Sequence, residues 1–298
     1  MKIVFMGTPD FSVPCLKALI DSGHEVPAVF TQPDKPKGRK YVLTPPPVKV
    51  CAEENSIQVF QLQTLKDGKA FELLADLNPD AIIVVAYGKI LPKNIIELPK
   101  FGCINVHASL LPQYRGSAPI QWAVIDGQKQ SGVTIMQMDE GIDTGDMLVT
   151  EKTEIGSDET SGELYDRLSQ IGAKTLVNAL EMIKNGEIAP QKQDDSLSTY
   201  AKMLDKSLCR IDFSKTAQEI HNLVRGLSPW PTALTSLDGK TLKVHKTELL
   251  NDKGTVDMIV KQCGDGKYIR LKTVQLEGKN KMDDTELLRG YKDSGNID

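Results

Sequence analysis

The chain has 298 residues, 40% apolar and 26% charged, with a formal charge of −4. That balance excludes disordered and fibrous classes, and at ~100 to 200 residues per domain it predicts two domains. The longest strongly apolar run, residues 81–87, is far short of the ~20 residues a membrane-crossing helix needs, and the opening Met1-Lys2-Ile3-Val4-Phe5-Met6-Gly7 has no secretory or Arg-rich transit pattern, so a cytoplasmic protein is expected.

Short β-rich runs at 2–6, 26–31, 57–61, 81–86 and 103–107 alternate with helical patterns at 12–22, 46–55, 65–77 and 118–126. Three of the runs are nearly continuously apolar, as strands buried on both faces are, so the order predicts an open, mostly parallel α/β sheet. A longer helix follows Thr160, where Thr160-Ser161-Gly162-Glu163 has capping-box spacing and Leu164, Leu168, Ile171 and Leu180 follow a helical stripe. Polar residues dominate 187–204, which reads as a linker. The expected division is therefore residues 1–186, a linker over 187–205 and a second domain over 206–298. The second domain opens with a helix at 215–225 and continues in two hairpins, 232–249 around Asp238-Gly239 and 258–274 around Gly264-Asp265-Gly266. These predict a small antiparallel barrel or sandwich. Alternation turns Leu242, Val244, Ile269 and Leu271 inward and leaves Lys243, His245, Tyr268, Arg270 and Lys272 on the other face, while Lys240, at the turn end, can point to solvent.

Charge is uneven. Residues 1–205 hold 20 basic and 27 acidic side chains, whereas 206–282 hold 14 and 8. A second basic stretch, Lys35, Lys37, Arg39, Lys40 and Lys49, has no acid within 35–49. Alone it reads as a solvated surface run; with the basic second domain it points to nucleic-acid phosphates. The five cysteines, at 15, 51, 103, 209 and 263, are too far apart in sequence for a CxxC-type metal pair and odd in number, so reduced thiols and no metal are expected.

Nucleotide motifs fail. Gly7-Thr8-Pro9-Asp10-Phe11-Ser12 offers one glycine where a dinucleotide fold needs three, and Gly239-Lys240-Thr241 has Leu234 where a phosphate-binding loop needs its first glycine. The stronger constellation is Ile104-Asn105-Val106-His107 at a strand end. Asn105 and His107 are two apart and share a face, where an amide donor beside an imidazole can hold an oxyanion and manage a proton at acyl transfer. An acidic loop after the run 132–138 could supply a third group from Asp139, Glu140, Asp143 or Asp146, or be only a solvated turn; pattern does not choose.

Asn105-x-His107 with Ser109-Leu110-Leu111-Pro112-x-Tyr114-Arg115-Gly116 and Gly141-Ile142-Asp143-Thr144-Gly145-Asp146 resembles the folate-dependent formyltransferases. Gly7-Thr8-Pro9, the basic loop, Gln137-Met138-Asp139, Asp212-Phe213-Ser214, His221-Asn222, Arg225-Gly226, Pro229-Trp230-Pro231 and Leu276-Glu277-Gly278-Lys279 extend the resemblance along nearly the whole chain. It implies a Rossmann-like catalytic domain followed by a small OB-like β-barrel, and transfer of formyl from 10-formyltetrahydrofolate to the α-amino group of methionine on initiator methionyl-tRNA. Asn105, His107 and Asp143 would be catalytic. Tyr87, Gly88, Ile90, Leu91, Pro92, Ser109, Leu110, Leu111 and Pro112 would bind folate. Lys35, Lys37, Arg39, Lys40, Lys49, Lys243, Arg270 and Lys272 would bind tRNA, and the protein would act as a monomer. An amino-sugar nucleotide as acceptor, a noncatalytic RNA-binding role and hydrolysis of formyl-folate are the competing readings.

Overall fold

The computed structural model describes residues 1–38, 41–253, 255, 257–291 and 297. Seven strands form one sheet in the order Met147–Glu154, Gln130–Gln137, Cys103–His107, Ala81–Val85, Lys2–Gly7, Glu25–Phe30, Gln58–Phe60. The five strands from Cys103–His107 to Gln58–Phe60 pair in parallel, and Gln130–Gln137 joins them antiparallel. Ala81–Val85 is buried at every position and Lys2–Gly7 at all but its first, which is why they read as unbroken apolar runs. Crossover helices Val13–Asp21, Pro47–Glu54 and Lys69–Leu77 return the chain between them. The chain runs outward from the central Lys2–Gly7 in one direction, then crosses back to Ala81–Val85 on its other side. This reversal opens a crevice beyond the carboxyl ends of those two strands, where open α/β sheets take their ligands.

By compactness the chain divides into two units, one comprising Met1–Gly116, Gly132–Thr153 and Tyr165–Tyr200, the other Ser117–Ser131, Glu154–Leu164 and Ala201–Asp298. The predicted linker is not a plain spacer: most of its length belongs to the first unit, and Tyr200–Ala201 pairs as a strand with Arg115–Gly116. The helix Ser161–Asn185 starts where its capping box predicts. The Thr160 N–H donates to Glu163 Oε2 at 2.9 Å and the Glu163 N–H to Thr160 Oγ1 at 3.2 Å. The Thr160 N–H and the Thr160 hydroxyl, which donates to the same Oε2 at 2.7 Å, hold the Glu163 carboxyl below its ordinary range.

In the second unit an antiparallel sheet, Ala233–Leu237, Lys240–Leu250, Tyr268–Leu276 and Val260–Gln262 in order, packs on the helix Ala217–Gly226. Leu242, Val244, Ile269 and Leu271 are fully buried with Ile220 and Val224 of that helix, as alternation predicts. A register shift between Val244 and Lys246 then changes which residues of the long strand face in, so that Thr247 is buried.

His221, 4% exposed on that helix, shows why burial matters for pH. Its Nε2–H donates to the Ser157 carbonyl at 3.2 Å, and Nδ1 accepts from Thr247 Oγ1 at 2.8 Å, so the neutral ring satisfies both partners. Burial lowers its pKa, opposed by the Ser157 bond and the charge of Asp158 and reinforced by Arg225. His24 and His245 are lowered too, mainly by burial. A histidine with a depressed folded pKa contributes stability that is fully present above its unfolded value, about 6.5, and lost as pH falls towards the folded value. The unfolding midpoint is therefore expected to fall between pH 6.5 and 5 in wild type, and to fall less in His221→Gln; equal slopes for the two proteins would contradict the assignment.

Candidate active site

Cys103–His107 ends the parallel part of the sheet, and its pleat sends Ile104 and Val106 into the core, at 0% and 3% exposure. Asn105 and His107 take the opposite face, as their spacing predicts. A loop 38 residues further on meets them there. Asp143 Oδ1 lies 3.5 Å from Asn105 Nδ2 and 3.6 Å from His107 Nδ1, and Oδ2 accepts the Gly116 N–H at 2.8 Å. The imidazole is 7% exposed and the carboxylate 17%, so the pair has little competing water.

The ring's orientation is set chemically. The Tyr114 carbonyl, 2.9 Å from Nε2, can only accept, so Nε2 carries a proton. In the neutral ring the Nδ1 lone pair would then oppose the Asp143 carboxylate, and a proton on Nδ1 turns that opposition into attraction. The two contacts to Oδ1, at 3.5 and 3.6 Å, are longer than the 2.7–3.2 Å of good N–H···O bonds.

The acidic loop resolves into four different uses. Asp139 Oδ1 accepts the Gly141 N–H at 3.0 Å and the Thr144 hydroxyl at 2.7 Å, closing the turn. Glu140 pairs with Lys93 at 2.8 Å with both side chains more than half exposed. The Asp146 carbonyl caps the strand end by accepting the Gln137 N–H at 2.8 Å. Asp143 alone of the four has a carboxylate beside the imidazole, and it does so with φ at 54°, a left-handed conformation that costs a non-glycine residue free energy. Gly145 brings the loop against the sheet: a Cβ there would lie 1.8 Å from the Gln137 carbonyl oxygen.

At the strand-order reversal, residues 86–88 make a tight turn with Ala86 at φ 46° and Gly88 at φ 79°. Thr8 Oγ1 donates to the Tyr87 carbonyl at 3.0 Å, and Gln32 Nε2 donates to the Tyr87 and Gly88 carbonyls at 3.1 and 3.2 Å. Tyr87 and Leu91 turn into the core at 1% and 4% exposure, and the Tyr87 hydroxyl has no hydrogen-bond partner among the described residues. Burial pushes its pKa up to about 12. Ile90 instead projects outward at 73% exposure, and Pro92 is half-buried. In the following turn Ser109 and Leu111 are buried at 1% and 6%, and Leu110 and Pro112 are half-buried. Ser109 Oγ donates to the Gln113 carbonyl at 2.6 Å, and Thr134 Oγ1 links the Ser109 carbonyl to the Leu111 N–H. Tyr87, Leu91, Ser109 and Leu111 are therefore buried parts of these turns, and Ile90 is an exposed apolar side chain.

The expected cations have different fates. Lys35 is exposed. Lys49 Nζ donates to Asp34 and to Gln61 Oε1, each at 3.0 Å, and the bonds that Gln61 Nε2 and Lys49 give the Asp34 carboxyl hold it below its ordinary range. Arg39, Lys40 and the side chain of Lys37 lie outside the described residues. Lys243 is exposed, and Lys272, half-exposed, stands 3.5 Å from Glu248. Arg270 corrects the expectation of a solvent-facing cation. Its guanidinium grips the fully buried Asp284 carboxylate in two bonds of 2.8 and 2.9 Å, adds Glu248 at 3.3 Å and is only 13% exposed. The Asp284 bonds raise its pKa further. Strand alternation places a side chain on a face but says nothing of an acid brought over it from the helix Asp284–Arg289.

Sequence reasoning also missed Gln193, in the predicted linker, which bonds to the backbone of the Asp143 loop. A polar tract without periodicity carries no signal for such a contact. Among the described residues no group of three or more His, Cys, Asp or Glu side chains is arranged to hold a metal ion, and no helix is long and apolar enough to cross a membrane.

Comparison with known proteins shows the family. The family described as formyl transferase matches residues 1–180, and its C-terminal domain matches residues 203–292. A methionyl-tRNA formyltransferase of Lachnospira eligens is 51% identical over 97% of this chain and 96% of its own length. Another, from Alkaliphilus oremlandii, is 48% identical over 100% and 99%. The crystal structure of an N-formyltransferase from Helicobacter canadensis, in complex with folinic acid and dTDP-3-aminofucose, superposes with a TM-score of 0.71 over 91% of this chain and 98% of that one; at 22% identity the likeness is one of fold. With its near-full-length identity to those relatives and an Asn-His-Asp cluster at the strand end, the chain belongs to the methionyl-tRNA formyltransferases of the formyl transferase family.

Proposed function

We propose that the protein transfers the formyl group of 10-formyltetrahydrofolate to the α-amino nitrogen of methionine on initiator methionyl-tRNA, supporting translation initiation in the cytoplasm. The observation that carries the mechanism is the convergence of Asn105 and His107 on one oxygen of Asp143, at 3.5 and 3.6 Å. The methionine nitrogen attacks the formyl carbon, forming a C–N bond and placing negative charge on the formyl oxygen. Asn105 Nδ2 and protonated His107 Nδ1 donate to that oxyanion, and Asp143 accepts charge from the imidazolium and assists loss of the amine proton. Collapse of the tetrahedral carbon breaks its bond to the folate nitrogen, which leaves with a proton as tetrahydrofolate. No metal enters this sequence.

The folate donor is assigned to the strand-order reversal, where Ile90 offers an exposed apolar side chain beside the backbone of Tyr87, Gly88, Leu91 and Pro92, with residues 109–112 as the second wall. Catalysis is assigned to residues 1–186 and tRNA contact to residues 206–298 together with the basic loop, in a monomer. Lys35, Lys37, Arg39, Lys40, Lys243 and Lys272 carry the phosphate contacts. Each phosphate neutralised steepens the salt dependence of binding by about 0.7 to 0.9 log units per log unit of salt.

Incubating the protein with 10-formyltetrahydrofolate and charged initiator tRNA, an amino-sugar nucleotide or no acceptor tests this reading. Tetrahydrofolate is expected with the tRNA alone; release with the sugar nucleotide or without acceptor would overturn it, as would tight tRNA binding with no release. Asn105→Ala is expected to lower kcat about tenfold or more with the fold intact, since one oxyanion donor is typically worth about 3 kcal/mol. Turnover near wild type at saturating substrates would remove Asn105 from the mechanism.

A further inference from the structure

The geometry points to Gln193 as a positioning residue for the transfer reaction, a role that rests on the reading of Asp143 given above. Its side-chain amide is used completely. Nε2 donates to the carbonyls of Asp143 at 2.8 Å and Gly145 at 2.7 Å, and Oε1 accepts from Arg115 Nε at 3.0 Å and Nη2 at 2.8 Å. The carbonyls can only accept and the guanidinium can only donate, so the amide has one orientation and neither Glu nor Lys can replace both halves. Arg115 is 8% exposed and is held from beyond by Asp195 at 2.7 Å.

These bonds act on the part of the loop that most needs support. Asp143 sits in the left-handed region at φ 54°, and its carboxylate reaches His107 only while the backbone stays there. Gln193 binds the carbonyl of that residue and of the residue two further on, fixing the peptide unit that follows each of them. The adjoining segment supplies the other restraints. The Gly116 N–H holds Asp143 Oδ2, the Tyr114 carbonyl holds His107 Nε2, and the Tyr114 and Arg115 N–H groups donate to Thr199, six residues beyond Gln193. The tract predicted as a linker thus frames both members of the His107–Asp143 pair. Gln193 touches no reacting atom; it acts through the direction of the Asp143 carboxylate.

Gln193→Glu separates this role from simple structural support. The carboxylate keeps its bonds to Arg115 but replaces the donor facing two carbonyl oxygens with an acceptor. The expected result is a fall in kcat of about 30-fold or more, with KM for the folate donor and for tRNA within about threefold of wild type. In an Asp143→Asn background, already slow, the same change is expected to cost less than about threefold in single-turnover rate, because the group it aims is gone. Gln193→Met, which lacks both halves, serves if the charged variant melts early; its loss is expected to show the same dependence on Asp143. Wild-type kcat in both Gln193 variants, or equal fold losses with and without Asp143, would overturn the positioning role. If Asp143→Asn itself turned over at the wild-type rate, the reading of the site beneath the proposal would fail instead, and the proposal with it.

Discussion

His107→Ala is expected to lose about 10² to 10⁴ in kcat, the range that a positioned proton-transfer group supplies. The imidazole serves two purposes that no neighbour can take over. Its Nε2–H is spent on the Tyr114 carbonyl, which fixes the ring plane, and Nδ1 is left facing Asp143, where the proposed mechanism puts the proton that meets the oxyanion. Binding of either substrate should change little, because the ring is almost fully covered and offers no surface for recognition. Truncating so buried a side chain also removes packing, at a cost of roughly 2 to 4 kcal/mol of stability by analogy with other large-to-small changes. The rate is therefore measured well below the variant's unfolding midpoint. A variant that is folded there and within tenfold of wild type in kcat would show that the proton is handled elsewhere.

Gly145→Ala should be nearly as damaging, for a reason that involves no chemistry. The added methyl would stand 1.8 Å from the Gln137 carbonyl oxygen and 2.9 Å from its carbon. Both atoms are backbone, in a strand bonded to Cys103–His107, so relief must come from the loop. A loop that retreats carries away the Asp143 carboxylate and breaks the Gly145 carbonyl's bond to Gln193. A displacement of about 1 Å at a reacting group costs on the order of a hundredfold in rate, and overpacking adds roughly 1 to 3 kcal/mol of destabilisation. Gly141→Ala is the informative control. Its Cβ would meet the Thr144 hydroxyl at 1.9 Å, the end of a small rotatable side chain, and it should cost less activity than Gly145→Ala. The reverse ranking would mean that the loop's seat on the strand does not hold Asp143 in place.

The fold was legible in the sequence wherever burial imposes a pattern. The β-rich run at 103–107 coincides with the strand Cys103–His107, and the capping box at Thr160 marks the start of a 25-residue helix. Asn105 and His107 were legible together because pleating alone puts residues two apart on one face. Asp143 was not selectable from Asp139, Glu140 and Asp146 by pattern, since all four are acids in one glycine-rich loop; the resemblance chose it, and its carboxylate stands 3.6 Å from His107 Nδ1. What escaped was contact across sequence distance. Arg270 reads as a surface cation until Asp284 is packed over it, and Gln193 reads as linker until Arg115 and the Asp143 carbonyls are brought to its two ends. Such bonds depend on which backbone atoms the fold leaves unpaired, and no local composition records that.

The claim that Asn105, His107 and Asp143 act as one unit is tested most directly by single-turnover formyl transfer in Asn105→Ala, His107→Ala, Asp143→Ala and the triple variant. Groups that share one proton and one oxyanion lose most of their joint effect when any member goes, so the triple variant is expected to be slower than the worst single variant by less than about tenfold. If the three losses instead multiplied into the triple variant, the side chains would be working independently and the account would be wrong.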